Sequence, residues 1–94
     1  MFYGDVKMFH NIKEVFPLKD YKLRVVFING TEKIYDVSSL FDVIPSFCYL
    51  KDNPKCFFDV HPDTGGYGVS WNEDLDLSAE ELWNNGKDKL NVED

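Results

Sequence analysis

The stretch YKLRVVFINGTEKIYDV, residues 21–37, constrains the fold of this chain more than any other segment. Alternate apolar residues in its first half would share one face of a strand over residues 21–28: Tyr21, Leu23, Val25 and Phe27. Asn29-Gly30 then favours a two-residue type I′ turn, because both central positions of that turn need positive φ. Residues 31–37 would return as the second strand of an antiparallel hairpin.

The far end of this first strand is apolar on both faces. Lys22 and Arg24 begin its second face, but Val26 and Ile28 finish that face with apolar side chains. A strand with one solvated face alternates along its whole length, so we expect this end to be covered on both sides.

A second copy of the pattern follows later in the chain. Residues 56–62 predict a strand, Gly65 and Gly66 a turn, and residues 67–71 a returning strand. Because side chains alternate between the two faces of a strand, Trp71 should lie on the core face of the returning strand.

A shared tripeptide aligns the two copies. The sequence DVS at residues 36–38 and the sequence DLS at residues 76–78 follow the two hairpins, forty residues apart. The fold class predicted is therefore α+β, with two ββα-like units, each a hairpin followed by a short helix, in small antiparallel sheets. A further strand near residues 12–16 precedes them, and the pattern leaves open whether both units share one sheet.

Signals for helix ends follow each hairpin. Ser38 can cap a short helix that ends before Pro45. Ser78 is a good N-cap, and Glu81, three residues later, completes the sequence of a capping box. Gly86 predicts a left-handed residue just past the end of the second helix.

The length of the chain, 94 residues, predicts a single domain over residues 1–94. Its core would cover about residues 12–86, with residues 1–9 as an N-terminal arm and residues 87–94 as a polar tail. No apolar run is long enough to cross a membrane, and the first residues lack the pattern of a signal peptide. We therefore expect a cytoplasmic protein.

The net charge of −7 is unevenly distributed. Residues 1–47 balance six basic against six acidic residues, whereas the rest of the chain has four lysines against eleven carboxylates. This distribution opposes direct binding of nucleic acid, which needs clustered Lys and Arg. Either the carboxylates form a solvated surface, or they attract a basic partner. In the second case Glu73, Asp74 and Asp76 are the candidate contacts.

No pattern of metal ligands is complete, and we expect no metal ion or cofactor. The acidic run from Asn72 to Asp76 lacks the turn glycine and the final glutamate of an EF-hand loop. Two cysteines and two histidines are present, but their spacing matches no zinc finger: Cys48, Cys56, His10 and His61. The cysteines would stay reduced in the cytoplasm, so a disulfide between them is disfavoured.

Catalytic patterns are equally incomplete, and we expect a protein that is not an enzyme. Cys48 or Cys56 with His61 is a conceivable nucleophile and base. Asp74 and Asp76 would share a face of an extended segment and could act as an acid–base pair. Neither arrangement comes with a recognised catalytic motif.

Two stretches of the chain resemble a small bacterial family known as domain-of-unknown-function family 2442. They are PLKDYKLRVVFINGTEKIYDVSSLF at residues 17–41 and GGYGVSWNEDLDLSAEELWNNG at residues 65–86. The most specific part runs from Gly68 to Leu82, and the resemblance covers about residues 12–86. It implies an α+β fold of hairpins and short helices, similar to the N-terminal domain of longer proteins. In some of those a helix-turn-helix domain follows, which we do not expect here.

The same resemblance implies a regulatory role, because genes of this family often lie beside those of another small family in an arrangement similar to toxin–antitoxin pairs. It offers no catalytic residues. The positions that carry it all have structural explanations: Gly30, Gly65, Gly66, Trp71, Asp76, Ser78, Glu81 and Gly86.

Three functional hypotheses remain open. The first is a non-catalytic interaction module, in its narrowest form the acidic, antitoxin-like half of a two-gene system with a basic partner encoded nearby. The second is a ligand-sensing or homodimerising domain, suggested by aromatic residues that exceed a small core: Phe2, Tyr3, Phe9, Tyr49 and Trp83. The third, which we favour least, is a small enzyme that uses its carboxylates or a Cys–His pair.

Overall fold

A computed structural model describes residues 10–89 as two antiparallel sheets with two short helices, the α+β class that the sequence predicts. The four-stranded sheet contains, in spatial order, β1 (Ile12–Leu18), β2 (Lys22–Phe27), β3 (Glu32–Asp36) and β7 (Lys87–Asp88). The three-stranded sheet contains β4 (His61–Pro62), β5 (Gly68–Asn72) and β6 (Leu75–Ser78). The helices are α1 (Cys48–Asp52) and α2 (Ala79–Asn85). The two predicted units thus lie in different sheets, and the predicted N-terminal arm lies outside the described residues.

One hydrophobic core joins the two sheets. Alternation along β2 places Leu23, Val25 and Phe27 on its inner face, where they are at most 1% exposed. The other sheet and the helices add further buried residues to the same cluster: Leu50, Phe57, Val69, Trp71, Leu75, Leu77 and Leu82. Full burial of each such side chain contributes roughly 1.5–3 kcal/mol, so this shared core holds the sheets together.

The outer side of β2 differs from the prediction. Ile28 is 66% exposed and Val26 is half-buried, so the described residues leave this end of the strand uncovered on one side. The apolar side chains of Val26 and Ile28 belong to the surface of the sheet and do not indicate a second layer that covers it.

The turn between β2 and β3 has three residues, and the prediction of a type I′ turn is wrong. The amide of Gly30 donates to the carbonyl of Phe27 at 2.9 Å, and the amide of Phe27 donates to that of Thr31 at 2.8 Å. Gly30 has φ +94°, but Asn29 is not in the left-handed region. The Asn29 side chain instead accepts from the amide of Thr31 at 2.9 Å. The sequence Asn29-Gly30 is also compatible with a three-residue loop, in which an ordinary turn is followed by a left-handed glycine at a bulge.

The helix predicted after β3 is only a 3₁₀ turn over Val37–Leu40. Asp36 caps it, because its side chain accepts from the amide of Ser38 at 3.0 Å. Ser38 is therefore not the cap, and the prediction that it would be was wrong. An aspartate at the end of a strand can accept from the amide two residues on, so the turn begins two positions earlier than predicted.

The strand predicted over residues 56–62 is also wrong except at its end. Pro54–Asp59 form a 3₁₀ helix, and His61–Pro62 alone pair with β5. Phe57 and Val60 point into the core three residues apart, which is a helical spacing. The carbonyl of Phe57 accepts from the indole of Trp71 at 3.0 Å, so a side chain takes the place of a strand partner.

The ends of α2 agree with the sequence only in part. Ser78 caps the helix as predicted, since its hydroxyl accepts from the amide of Glu81 at 3.0 Å. The Glu81 carboxylate completes no capping box and instead accepts from the hydroxyl of Tyr35 at 2.7 Å. Gly86 has φ −75°, so the left-handed stop is wrong. Glycine fits there because a Cβ atom would lie 2.5 Å from the carbonyl oxygen of Leu82.

Candidate protein-interaction surface

The outer face of the three-stranded sheet presents Asp76 to solvent. Leu75 and Leu77 point into the core, and the alternation of β6 turns Asp76 the other way. The pairing register places His61 beside Ser70 and Ser70 beside Asp76. One polar row therefore crosses all three strands on the outer face.

Glu73 and Asp74 form the tip of the hairpin between β5 and β6, and both are exposed. The side-chain oxygen of Asn72 accepts from the amides of Asp74 at 2.8 Å and Leu75 at 3.0 Å, which closes the turn. The three carboxylates singled out from the sequence thus lie on a single hairpin, two at its tip and Asp76 on its outer strand.

Asp63 adds a fourth carboxylate that sequence reasoning missed. The Ser70 hydroxyl donates to its side chain at 2.6 Å, and its own amide donates to the carbonyl of Gly68 at 2.8 Å. Its position before the Gly65-Gly66 turn was the available signal, because that turn folds the chain back beside β5. We call Asp63, Glu73, Asp74 and Asp76 the acidic hairpin surface.

The segment that forms this surface has no Lys or Arg to neutralise its negative charge. Residues 56–86 contain seven carboxylates and no Lys or Arg: Asp59, Asp63, Glu73, Asp74, Asp76, Glu80 and Glu81. None of the ion pairs within residues 10–89 includes a member of the acidic hairpin surface. Its negative field therefore extends into solvent over about the 8 Å Debye length of physiological salt.

Three basic side chains are paired with carboxylates of the other sheet. Arg24 lies 2.9 Å from the carboxylate of Glu32, and Lys89 lies 3.4 Å from the same oxygen. The hydrogen bond from Arg24 holds the pKa of Glu32 below its usual value. Lys33 lies 3.4 Å from Asp88 and so links β3 to β7. The two sheets consequently have different electrostatic surfaces.

A family model described as "Protein of unknown function (DUF2442)" matches residues 12–88, from the first residue of β1 to the last residue of β7. The chain belongs to this family. No curated protein and no solved structure matches the chain. The DUF2442 match spans both sheets and includes the whole acidic hairpin surface.

In this DUF2442 chain the two thiols make separate contacts. Cys48 and Cys56 are both free, and Cys48 donates to the carbonyl of Phe41 at 3.2 Å. Cys56 lies 3.6 Å from the hydroxyl of Tyr49, a hydrogen bond that raises the pKa of that phenol. His61 is exposed, with Nδ1 3.0 Å from the carbonyl oxygen of Asp59. The structure therefore does not bring His61 into hydrogen-bond contact with either thiol.

Residues 10–89 of the DUF2442 chain contain neither a metal-binding cluster nor a membrane-spanning helix. That part of the chain holds no group of three or more His, Cys, Asp or Glu side chains placed to bind a metal ion. Neither helix in it has the length and apolar character that crossing a membrane requires.

An aromatic cluster connects the start of β1 to α2. The ring of His10 stacks on Trp83 with centroids 3.8 Å apart, and its Nδ1 lies 3.2 Å from the carboxylate of Glu80. Lys33 lies over Trp83, 4.7 Å from the ring centroid, and Phe27 meets the same ring edge-on. Trp83 is thus half-buried at the margin of the core, which answers the question its position in the sequence left open.

A small pocket of about 80 Å³ opens beside this cluster in the DUF2442 chain. Residues from the start of β1, the glycine turn and the start of α2 line it: His10, Asn11, Gly66, Tyr67, Ser78, Ala79 and Glu80. Sites for drug-sized ligands usually measure 300–1,000 Å³, so this pocket has room for a single functional group and not for a whole cofactor.

Proposed function

We propose that this DUF2442 protein is a non-catalytic interaction module that binds a basic protein through the acidic hairpin surface. The observation that carries the proposal is that Glu73, Asp74 and Asp76 are exposed and unpaired within residues 10–89. Carboxylates that are held on a paired strand and a closed turn lose little entropy when they meet a cationic partner.

Such a surface would favour fast association and a strong dependence on salt. Complementary charges steer two proteins together, and this steering weakens as ionic strength rises. A stable interface buries about 800 Å² of accessible surface on each partner. The accessible surface of this structure is 6152 Å². The four carboxylates supply only part of such an area, and Tyr67, which is 67% exposed just before β5, offers apolar contact at the end of the hairpin opposite Glu73 and Asp74.

The narrower form of the proposal is that binding neutralises the basic partner, as an antitoxin neutralises its toxin. The uneven charge and the gene arrangement implied by the family resemblance support this form. A basic protein encoded by the adjacent gene would fit both the uneven charge and the gene arrangement.

A tagged pull-down from the native host, read by mass spectrometry at low and raised salt, tests the proposal. We expect one stoichiometric basic protein that raised salt releases and that the double variant Glu73→Lys/Asp74→Lys fails to retain. The matched control is Asp42→Lys/Asp52→Lys, which reverses two exposed carboxylates elsewhere. Each reversal adds two charges, so both variants move the formal net charge from −7 to −3. Equal capture by the two variants would refute binding through the acidic hairpin surface.

Self-association is a second candidate function, favoured by the uncovered outer face of the four-stranded sheet. Phe16 is 36% exposed beneath the guanidinium of Arg24, and Ile28 is 66% exposed at the end of β2. Contact between two such faces would bury these side chains in a homodimer. Light scattering that gives a monomer at every concentration, for wild type and for Ile28→Asp alike, would count against this alternative.

A further inference from the structure

The pocket between the start of β1 and α2 includes Tyr67, which directly precedes β5 and so lies at the end of the hairpin opposite Glu73 and Asp74. The protein-interaction proposal leaves this pocket unused. Its shape is fixed by tight packing, because a Cβ atom at Gly66 would lie 2.6 Å from the backbone oxygen of Ile12. At Gly65 a Cβ atom would lie 2.6 Å from the ring of Tyr67, so that ring rests directly on the glycine turn.

The side chains around the pocket suit a cation. The Glu80 side chain is 58% exposed, so its carboxylate remains accessible although one oxygen contacts His10. The Tyr67 ring is also exposed and lines the same pocket, where it can lie against a positive charge. The amide nitrogen of Asn11 donates to the carbonyl of Gly65 at 2.6 Å, which leaves the side-chain oxygen of Asn11 as an acceptor.

The same pocket is poorly suited to an anion. The amide of Ala79 donates to the carbonyl of Tyr67 at 2.9 Å, and the amide of Glu81 donates to the Ser78 hydroxyl. These two donors at the start of α2 are therefore already used. No Lys or Arg lines the pocket, and the surrounding residues 56–86 carry only negative formal charge.

We propose that this pocket binds one lysine ammonium or arginine guanidinium of the basic partner, between the carboxylate of Glu80 and the ring of Tyr67. This inference rests on the proposed function and names the side chain that the partner inserts. A pocket of about 80 Å³ has room for one such group and not for a whole ligand. A basic side chain seated here would fix the register of the partner, whereas the acidic hairpin surface attracts it at longer range.

The pocket can be tested without knowledge of the partner by NMR titration of the full chain. The probes are N-acetyl-arginine amide, N-acetyl-lysine amide and the neutral isostere N-acetyl-citrulline amide. We expect the two cationic probes to shift the backbone amides of Tyr67, Ala79 and Glu80, and the neutral probe to leave them in place. No shift, or an equal response to citrulline, would overturn the inference.

Variants locate the contact. Glu80→Gln removes the charge and keeps the side-chain shape. We expect it to weaken the binding of the cationic probes roughly five- to tenfold. Tyr67→Ala should weaken their binding by a smaller factor, since it removes an exposed ring. Glu14→Gln, an exposed carboxylate on β1, is the matched control and should change nothing. Wild-type affinity in Glu80→Gln would place the probes elsewhere and contradict the inference.

The partner pull-down separates this inference from the proposed function. Loss of the partner in Glu73→Lys/Asp74→Lys with full retention in Glu80→Gln and Tyr67→Ala would disprove the pocket and leave the proposed function intact. Specific binding of the cationic probes with no effect of the Lys reversals on the partner would disprove the acidic hairpin surface as the docking site.

Discussion

Trp71 shows how one side chain can determine the conformation of a segment far from it in sequence. Its ring packs against Phe47 and Phe57, and its indole donates to the carbonyl of Phe57 at 3.0 Å. That bond satisfies a buried acceptor inside the 3₁₀ helix Pro54–Asp59, which has no partner strand there. Removal of the indole would leave the carbonyl without its donor.

Trp71→Phe should therefore destabilise the protein more than its loss of volume alone requires. We expect a loss of about 1–3 kcal/mol for the unsatisfied carbonyl, added to the cost of the cavity. Urea denaturation followed by circular dichroism measures it. The control is Trp83→Phe, at a half-buried ring whose nitrogen makes no hydrogen bond among residues 10–89. Equal losses in the two variants would contradict the role of the indole.

The raised pKa of Tyr35 should make the folded protein less stable at alkaline pH. Burial, and then its hydrogen bond to Glu81, raise the pKa of Tyr35 well above the usual 10. The unfolded state releases this proton near pH 10, so the contribution of the group to the free energy of unfolding is complete below pH 10 and falls above it. Absorbance at 295 nm should show one phenol that titrates only as the protein unfolds. Tyr35→Phe should lack this component, and titration of all five tyrosines near pH 10 in the folded state would disprove it.

At the residue scale, the sequence predicted the roles that depend on near neighbours. Ser78 caps α2 because its partner amide is three residues away, and Trp71 faces the core because strand alternation is local. Gly86 was misread because glycine is needed there for close approach to the carbonyl of Leu82 and to the side chain of Lys33, and Lys33 is far away in sequence. The partner of the Glu81 carboxylate, Tyr35, is likewise far away in sequence.

At the scale of elements, the turn between β1 and β2 carries backbone strain. Asp20 and Tyr21 have φ +62° and +60°, the only positive values among the described residues other than glycine. The ring of Tyr21 packs edge-on against Phe41 and Phe57, so tertiary contacts hold the turn in place. The exposed side chain of Asp20 has no such contact.

Asp20→Gly should stabilise this turn. Glycine adopts the left-handed region without steric cost, and we expect a gain of about 0.5–1 kcal/mol after its greater freedom in the unfolded state is subtracted. The midpoint of urea denaturation is the measurement. Asp20→Ala, which cannot relieve the strain, should lower that midpoint. A lower midpoint for the glycine variant would show that the Asp20 side chain stabilises the turn.

Element types were predictable where the hydrophobic period was clear. The alternation in β2 is regular, and both β2 and β3 lie close to their predicted positions. Residues 56–62 contain adjacent aromatic residues that suit a strand or a helical turn equally, and the core decided between them by burying Phe57 and Val60. The acidic hairpin surface was located in sequence by charge, but Asp63 joined it only through the pairing of β4 with β5.

For the whole molecule, the uneven charge makes stability depend on salt. The carboxylates of residues 56–86 repel one another within a segment that contains no Lys or Arg, and added ions screen this repulsion. Raising sodium chloride from about 0.05 M to 0.5 M should increase Tm by a few degrees, as circular dichroism would show. Glu73→Gln/Asp74→Asn should raise Tm at low salt and reduce the salt effect. A fall in Tm with salt would show that the ion pairs of the four-stranded sheet dominate.

The return of β7 to β3 has a consequence for how the chain is made. Lys87–Asp88 belong to the same sheet as β1, yet they are synthesised after the whole three-stranded sheet and α2. Until they leave the ribosome, β3 has an unpaired edge, and an unpaired edge can pair with the strand of another chain. A product truncated before Lys87 would therefore contain both hairpins and an open edge. The two residues of β7 thus cover the edge of β3 only after synthesis has passed them, and the chain is most open to its neighbours until then.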